Sequence, residues 1–274
     1  MTTTLRPTEP LQHGADGSLS RRYNVCVNSR PVGAVHLATG SGEGRKAARI
    51  GELGIDPADR GRGRGAVAAL AAEEVARGWG CTRIEVSVAA DAQAGLRLAS
   101  ALGYVRRNRL MQKELDGNPP ELPEGSRGRP MTGAEFTLWA ERARIEYARD
   151  WISRGVPEAE ALAESARDHA TSLPDGLASE GAEFTVLEHG GTPVGMLWLG
   201  ARDGWAFVHD VEADERHRGR GHGRSLMRLA EARALASGHS GIRLNVFAGN
   251  TPAERLYESL GYRTVTHHLY KGLL

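Results

Sequence analysis

Lysine is scarce in this chain of 274 residues. Lys46, Lys113 and Lys271 are its three lysines, and arginines make up the rest of the 35 basic residues. These nearly balance the 34 acidic residues, which leaves a formal charge of +1 at pH 7. So small a charge gives the molecule no overall field that would attract nucleic acid or an anionic membrane surface. We therefore expect neither of these partners.

Long apolar runs and cysteines are also lacking. The longest apolar run, residues 66–72, is far shorter than the roughly 18 residues of a membrane-spanning helix. The first eight residues are polar and have none of the features of a signal peptide. Cys26 and Cys81 are too few for a disulfide framework and are not spaced as zinc ligands. We expect a cytoplasmic protein without a metal site, in which both thiols are buried and reduced.

The sequence contains an internal repeat. Residues 60–65 read Arg-Gly-Arg-Gly-Arg-Gly, and residues 218–223 read Arg-Gly-Arg-Gly-His-Gly. Leu-Gly-Tyr occurs at 102–104 and again at 260–262, at the same offset of 158 residues. The length already favours two domains at about 150 residues each, although one large domain is an alternative. Because two motifs keep one offset, we interpret the chain as a duplicated domain.

The two copies have the same order of predicted elements. A helix with apolar residues at i, i+3 and i+4 follows each arginine-glycine turn, and alternation of apolar and polar residues then predicts a strand at 84–88 and at 242–246. Residues 50–55 and 207–211 are predicted strands in front of the turns. The earlier strands are predicted hairpins, at residues 23–27 with 32–37 and at residues 184–188 with 194–199.

A proline-rich stretch separates the copies. Residues 116–131 contain four of the chain's 12 prolines, which is typical of a linker. The first copy, residues 1–115, is a shortened domain. The second copy, residues 132–274, is more complete, because residues 132–172 carry two helix-like segments that the first copy lacks. The last helix of the second copy has Thr251 as its predicted N-cap.

Each glycine-rich turn lies between a predicted strand and a helix, where free N–H groups at the positive end of the helix suit a phosphate. A dinucleotide-binding turn is one alternative, since Gly61, Gly63 and Ala66 fit its spacing, but the second copy has Arg224 at the last position. An arginine-glycine RNA-binding segment is another, although such segments are disordered. A P-loop is excluded because neither turn is followed by Lys-Ser or Lys-Thr. A plain turn with solvated arginines is the remaining alternative.

Both copies share the pattern R-x-x-G-x-G at the start of a helix. The second copy adds Asn250 and, at residues 256–262, the run Leu-Tyr-Glu-Ser-Leu-Gly-Tyr. In these motifs the chain resembles the GCN5-related N-acetyltransferases, in full over residues 130–274 and in shortened form over residues 20–115. The resemblance implies an α/β fold of two such domains, each a central mixed sheet flanked by helices. It also implies an acetyl-CoA-dependent N-acetyltransferase.

Cofactor-binding residues follow from the same resemblance. The turn amides of the second copy would bind the pyrophosphate of acetyl-CoA, and the strand before the turn would pair with its pantetheine arm. The residues implied in this copy are Val211, Glu212, Ala213, Arg218, Gly219, Arg220, Gly221, His222, Gly223, Arg224 and Asn250. The matching positions in the first copy are Leu53, Ile55, Arg60, Gly61, Gly63 and Gly65.

The implied chemistry needs an oxyanion donor, an acid and a base. A backbone N–H at Val211 would bind the carbonyl oxygen as charge develops on it. Tyr257 is the expected proton donor to the leaving thiolate, because a phenol with a pKa of about 10 is protonated at neutral pH. The base is Asp210, His209 or a water relay, and a structural hydrogen-bonding role is the alternative for Asp210. Asn250 either contacts the cofactor or caps a turn.

The first copy departs from this pattern, with Ala99 in place of the tyrosine and Ala92 in place of the asparagine. We expect it to be structural or to bind CoA without fast transfer, and the tandem to act as a pseudo-dimeric monomer or a homodimer. A non-catalytic CoA-binding or sensing module is the alternative for the whole chain. The acceptor is a small-molecule, peptide or protein amine, and the helices before the second hairpin offer these candidate contacts: Trp139, Tyr147, Trp151, Glu146 and Asp150.

Overall fold

The computed structural model describes residues 3–40, 46–152 and 156–273. Its strands are β1 Thr3–Pro7, β2 Gln12–His13, β3 Leu19–Val27, β4 Arg30–Thr39, β5 Ala47–Ile55, β6 Arg83–Ala89, β7 Val105–Glu114, β8 Ser126–Pro130, β9 Glu183–His189, β10 Thr192–Arg202, β11 Trp205–Ala213, β12 Gly241–Phe247 and β13 Arg263–Gly272. Its helices are α1 Arg64–Gly78, α2 Gln93–Ala101, α3 Gly133–Ile152, α4 Glu158–Ser172, α5 His222–Ala236 and α6 Thr251–Ser259.

The chain forms two compact units. We call Met1–Arg109 with Val265–Leu274 the N-unit, and Leu110–Thr264 the C-unit. The strand order is β1-β3-β4-β5-β6-β13 in the N-unit, with β2 beside β3, and β7-β12-β11-β10-β9-β8 in the C-unit. The pairs β5–β6 and β11–β12 are parallel, whereas the hairpins before them are antiparallel. Both sheets are therefore mixed and carry helices, which confirms the predicted α/β class.

The repeat extends to the elements themselves. The elements β5, α1, β6, α2 and β7 recur, with the same lengths and an offset of 158 residues, as β11, α5, β12, α6 and β13. In front of β5 and β11 the two copies differ. The described part of the N-unit has no counterpart of α3 and α4, so the extra helices predicted before the second hairpin are the main addition in the second copy.

The last strand of each copy lies in the unit formed by the other copy. β13, at the end of the second copy, pairs antiparallel with β6 in the N-unit. The second half of β7, at the end of the first copy, belongs to the C-unit, where β7 lies next to β12. The compact units therefore differ from the sequence division into residues 1–115 and 132–274. That division followed the repeat, whereas strand pairing decides which unit a segment joins.

The segment expected to be a linker also contributes to the C-unit. Within residues 116–131, β8 forms an antiparallel edge strand against β9, from Ser126 opposite His189 to Pro130 opposite Thr185. A strand rich in glycine and proline is tolerated at a sheet edge because one side of its backbone needs no ladder partner. Residues 116–125, which hold three of the four prolines, lie outside helices and strands and connect β7 to β8.

Each unit has an apolar core of its own. In the N-unit, Leu269 of β13 packs with residues of β3 to β6 and α1. In the C-unit, Met111 of β7 packs with residues of β9 to β12 and α5, and a second cluster under α3 is built around Trp139, Phe184 and Trp198. Both cysteines are buried and free, as expected.

Helix α6 begins one residue earlier than the sequence suggested. Its N-cap is Asn250, whose side chain accepts a hydrogen bond from the Ala253 N–H at 3.3 Å. The prediction of Thr251 as N-cap was wrong, because Thr251 and Pro252 already lie in the first helical turn. An asparagine side chain is as good a cap as a threonine, so local pattern did not separate the two.

A bulge in β11 opens the C-unit sheet next to the glycine turn. The pairing of β10 with β11 skips His209. The parallel ladder between β11 and β12 runs only from Ala206 to Val208, so beyond the bulge the two strands separate. The N-unit has the same irregularity at Gly51, and its β5–β6 ladder stops at Ile50. Each unit therefore has a gap between its parallel strands, beside its own arginine-glycine turn.

Candidate active site

The glycine turn of the second copy presents free amides at the start of α5. Gly219 and Gly221 have φ angles of 76° and 87°, which L side chains rarely adopt. Within the described chain, the N–H groups of Gly219, Arg220 and Gly221 donate to no backbone acceptor. A Cβ atom added at either glycine would have nothing within 4 Å. The amides thus face open space at the positive end of a helix, as an anion requires.

Side chains next to the turn hold it in place. Arg218 Nε donates to the carbonyl oxygen of Ala213 at 3.4 Å, and its NH1 group donates to Glu215 at 3.1 Å. The Asp214 carboxylate accepts a hydrogen bond from the Arg216 N–H at 2.9 Å. The turn is therefore shaped by the protein itself and does not depend on a ligand for its conformation.

Helix α5 packs closely against α6 at Gly223. A Cβ atom added there would lie 3.2 Å from Leu256 Cδ2, which is tighter than an ordinary contact. One turn away, Arg224 donates to the Ser259 hydroxyl at 2.7 Å. Gly223 therefore permits the close approach of α6, the helix that carries Tyr257. The side chain of Arg220, on the turn itself, is exposed.

The ring of His222 does not point to solvent. It is buried, and the ring centres of His189 and His217 lie 5.4 and 6.2 Å away. Burial, and then the neighbouring cations, lower the pKa of His222. Because the neutral form is favoured, the backbone and not the ring of His222 is the group that an anion at the turn would meet.

Asp210 follows the bulge directly. Its Oδ2 atom accepts a hydrogen bond from Trp139 Nε1 at 2.8 Å, and the Val211 N–H also donates to the carboxylate. Burial raises the pKa of Asp210, and these two donors oppose the rise without cancelling it. A carboxylate with a raised pKa is a better proton acceptor than an ordinary one. The Val211 amide, predicted to bind an oxyanion, is engaged by Asp210 here.

Tyr257 is buried in the C-unit core, on α6. Burial raises its pKa to about 12, and the negative charge of Asp210 adds to this effect. The predicted acid and the favoured base therefore interact electrostatically. A phenol with this pKa is protonated at neutral pH.

Two further groups on β11 flank Asp210. The His209 ring stacks on Trp198, with centres 4.4 Å apart, and loss of water around it, followed by the charge of Arg202, lowers its pKa to about 4. Glu212 pairs with Arg142 of α3 at 2.6 Å. Burial raises the pKa of Glu212, and Arg142 opposes the rise. A neutral His209 therefore remains a second candidate base.

The turn of the first copy has the same backbone conformation. Gly61 and Gly63 have φ angles of 72° and 73°, and Arg60 Nε donates to the Ile55 carbonyl at 2.7 Å. The position of Tyr257 is taken by Ala99, which is buried. Ala92, in the place of Asn250, makes no side-chain cap.

A buried ion pair is specific to the first turn. The Asp59 carboxylate accepts from both terminal nitrogens of Arg30, at 3.1 and 2.9 Å, and also pairs with Arg64. The corresponding positions in the second copy are His217 and His222. The two copies therefore keep one turn conformation with different side chains behind it.

Of the candidate acceptor contacts, Trp139 is hydrogen-bonded to Asp210, and the side chain of Asp150 lies outside the described part of the chain. Trp139 is buried among Phe184 and Trp198, and the sequence did not indicate its partner, which lies 71 residues away. Tyr147 donates to Asp168 of α4 at 3.1 Å, and its ring meets Trp151 edge-on. Glu146 Oε1 lies 3.9 Å from Nε of Arg142, which also pairs with Glu212. Sequence analysis did not single out Arg142.

Comparison with known proteins identifies the family. The family model described as the acetyltransferase (GNAT) family matches residues 4–104 and 145–262. The chain belongs to the GNAT acetyltransferase family. It is an N-acetyltransferase with two tandem GNAT domains, which confirms the resemblance seen in the motifs. No helix in the described residues is long and apolar enough to cross a membrane, and no cluster of metal-binding side chains occurs among them.

Curated relatives of this GNAT protein include two that are named mycothiol acetyltransferase. The protein from Thermobispora bispora is 33% identical over 229 residues, which cover 77% of this chain and 72% of the relative. The protein from Clavibacter sepedonicus is 28% identical over 257 residues, which cover 92% of this chain and 80% of the relative. Both likenesses extend across the two copies.

Solved structures share the fold. The GCN5-related N-acetyltransferase from Sphaerobacter thermophilus has a TM-score of 0.59 at 20% identity, over 92% of this chain and 80% of its own. A tandem GNAT protein from the clavulanic acid biosynthesis pathway has a TM-score of 0.51 at 19% identity, over 96% of this chain and 85% of its own. At these identities the likeness concerns the fold alone.

Proposed function

We propose that this protein moves an acetyl group from acetyl-CoA to an amine by direct attack, and that the second copy is catalytic. One observation carries the proposal. In the second copy Tyr257 is buried on the helix that packs against α5 at Gly223, and the charge of Asp210 acts on it, whereas the first copy keeps the turn but has Ala99 in place of Tyr257. A turn without a proton donor supports binding and not transfer.

The residues present fit the cofactor. The three free amides at Gly219, Arg220 and Gly221 suit a pyrophosphate. The side of β11 that has no ladder partner beyond Val208 suits an extended arm with amide groups. When bound, acetyl-CoA supplies a thioester, whose acyl carbon is open to attack by an amine.

The chain's own residues then handle the protons and the developing charge. Asp210 accepts a proton from the amine as nitrogen bonds to the acyl carbon. The Val211 N–H turns from the Asp210 carboxylate to the oxygen that gains negative charge. Tyr257 donates its proton to sulfur as the carbon–sulfur bond breaks. The proton that Asp210 takes from the amine then returns to the tyrosinate of Tyr257, so that both groups regain their starting states and the cycle balances.

Tyr257→Phe tests the assignment. We expect kcat to fall about 100-fold, which is typical for loss of a general acid, while KM for acetyl-CoA changes by less than about twofold. Tyr104→Phe, which removes a buried tyrosine hydroxyl from the N-unit, is the control and should retain kcat. The acceptors assayed should include amines related to mycothiol, because two relatives are named mycothiol acetyltransferase. Equal losses of rate and of cofactor affinity would contradict the proton-donor role.

A further inference from the structure

A buried ion pair lies behind Tyr257 in the C-unit. Lys113 of β7 donates from Nζ to Glu231 Oε2 of α5 at 2.8 Å, and the side chain of Glu231 is only 4% exposed. The same ammonium group lies 5.8 Å from the centre of the Tyr262 ring. A carboxylate this deeply buried needs a cation to remain charged. Lys113 is the cation that the structure provides.

Tyr262 connects this pair to Tyr257. The Tyr262 N–H donates to the Tyr257 carbonyl oxygen at 3.0 Å, across the turn at Gly261 that ends α6. The two rings lie 6.0 Å apart between centres. A displacement of Tyr262 therefore displaces the end of the helix that carries Tyr257.

Electrostatic coupling runs along the same path. The Tyr262 hydroxyl and Glu231 Oε1 are both buried, and neither completes a hydrogen bond of good geometry. Burial, and then the charge of Glu231, raise the pKa of Tyr262. Without Lys113, the negative charge of Glu231 would act on Tyr262 unopposed and would make it a weaker acid.

We propose that Lys113 is a positioning residue for the transfer reaction: it neutralises Glu231 and thereby holds Tyr262, and through it Tyr257, in the position from which Tyr257 donates its proton. The inference rests on the proposed role of Tyr257. Lys113 belongs to the first copy in the sequence, so the first copy supplies part of the support of the second copy's active site.

The N-unit contains a matched arrangement without the tyrosine. Lys271 donates to Glu73 at 2.7 Å and lies 5.7 Å from the centre of the Tyr104 ring. At the offset of 158 positions, Lys271 corresponds to Lys113, Glu73 to Glu231 and Tyr104 to Tyr262. Since Ala99 stands where the C-unit has Tyr257, the N-unit triad is an internal control for the structural effect of breaking such a pair.

Kinetics of two matched variants test the proposal. Lys113→Met and Lys271→Met each leave one buried carboxylate unpaired, and each should lower the melting temperature by about 10 °C. Only Lys113→Met should lower kcat, by roughly tenfold near pH 8, with little change in KM for acetyl-CoA. Lys113→Arg, which keeps the charge, should restore kcat.

A second variant keeps the test open if Lys113→Met does not fold. Lys113→Met combined with Glu231→Gln leaves no unpaired charge, so it should fold and regain kcat to within about threefold of the parent. Similar losses of kcat in Lys113→Met and Lys271→Met would overturn the proposal and would show that the Lys113–Glu231 pair has a structural role only.

A spectroscopic measurement separates this proposal from the proposed function. Tyrosine labelled with 13C at Cζ gives six signals, each assignable by one Tyr→Phe variant. Lys113→Met should shift the signals of Tyr257 and Tyr262, and Lys271→Met that of Tyr104 alone. An unmoved Tyr257 signal in Lys113→Met overturns the positioning role whatever the rates are. Full activity of Tyr257→Phe would overturn the proposed proton donor and leave the spectroscopic result standing.

Discussion

At the scale of single residues, the environment of β11 decides which group can take a proton. Asp210 is buried with two hydrogen-bond donors, and His209 is stacked on Trp198. The pKa of Asp210 is raised from its ordinary value of 3.8, and the pKa of His209 is lowered to about 4. His209 is neutral at neutral pH, and the raised pKa makes Asp210 a better proton acceptor than an ordinary carboxylate, so substitution is needed to distinguish the two groups.

Asp210→Asn tests the base. Because the unprotonated carboxylate is the active form, kcat/KM should rise with pH through the pKa of Asp210, above 3.8. In a pH–rate profile, the variant should not show this rise of kcat/KM with pH, and its kcat near pH 7 should be about 100-fold lower than that of the parent. The pKa of Glu212 is also raised, so Glu212→Gln is the control, and its kcat/KM should still rise with pH as in the parent. If Asp210→Asn keeps this rise too, His209 is the base, and His209→Gln should remove it.

The sequence pointed to Tyr257 and Asp210 through motif and position, but not to their partners. Trp139 lies 71 residues from Asp210, and Lys113 lies 118 residues from Glu231. Neither pair has a local spacing that a helix or a strand would impose. A tryptophan and a lysine at such positions are equally typical of a core face and of a solvated face.

At the scale of elements, the two glycine turns have the same backbone conformation, but we expect different roles for them in the reaction. Gly221 at φ 87° and Gly63 at φ 73° begin α5 and α1. A β-branched residue at either position is strained and shields the amides. Only the turn of the second copy has the tyrosine beside it.

Gly221→Val should weaken acetyl-CoA binding at one site by more than about 30-fold and abolish turnover, because the amides cannot reach the phosphate. Calorimetric titration with acetyl-CoA measures the number of sites and their affinities. Gly63→Val is the matched control, and turnover should survive it. A second site lost in Gly63→Val would show that the first copy binds the cofactor, whereas lost turnover in that variant would contradict the proposed roles.

The start of α3 depends on a charged capping box. Glu135 accepts from the N–H and hydroxyl of Thr132, and Arg129 binds it through two nitrogens at 2.9 and 2.7 Å. The Arg129 hydrogen bonds, more than any other contact, lower the pKa of Glu135 from 4.5 to about 2. The stabilisation is therefore complete above pH 4.5 and is lost as the pH falls towards 2.

Glu135→Gln should lower the free energy of unfolding at pH 7 by about 1–2 kcal/mol, since partial exposure of the side chain reduces the full effect. The difference from the parent should shrink as the pH falls from 4.5 towards 2. Circular dichroism during urea unfolding at several pH values measures it. Glu141→Gln, on the exposed face of the same helix, should change little, and an equal loss in both variants would refute the capping role.

At the scale of the whole molecule, the exchanged strands make each unit depend on both halves of the sequence. Leu269 of β13 is 4% exposed in the N-unit core, and Met111 of β7 is fully buried in the C-unit core. These two residues occupy the same position in the repeat. Substitution of each residue therefore perturbs the unit that is built mainly from the other copy.

Leu269→Ala should destabilise the N-unit by about 2–5 kcal/mol, as cavities in well-packed cores do. Hydrogen exchange read by mass spectrometry should show faster exchange in β6 and α1 than in β12 and α5. Met111→Ala should give the opposite pattern. Faster exchange in the C-unit on substitution of Leu269 would contradict the strand exchange.

The sequence by itself determined the local structure and the repeat. Apolar spacing of 3.6 and 2 residues located the main helices and the hairpins, and positive φ angles at the turns required glycine. The spacing of the two glycine turns and of the Leu-Gly-Tyr motifs established the duplication, and the motifs gave the family. All of these depend on residues that are close in the chain.

Only the tertiary structure decided which sheet each last strand joins. β7 and β13 have many polar residues and no strict alternation, and sequence analysis predicted neither strand. Each could complete a sheet edge in either copy, because the repeat makes the edges alike. The choice depends on packing and ion pairs between segments more than 100 residues apart, such as Lys113 with Glu231. No local pattern encodes such a choice, since it is made by the free energy of the assembled core.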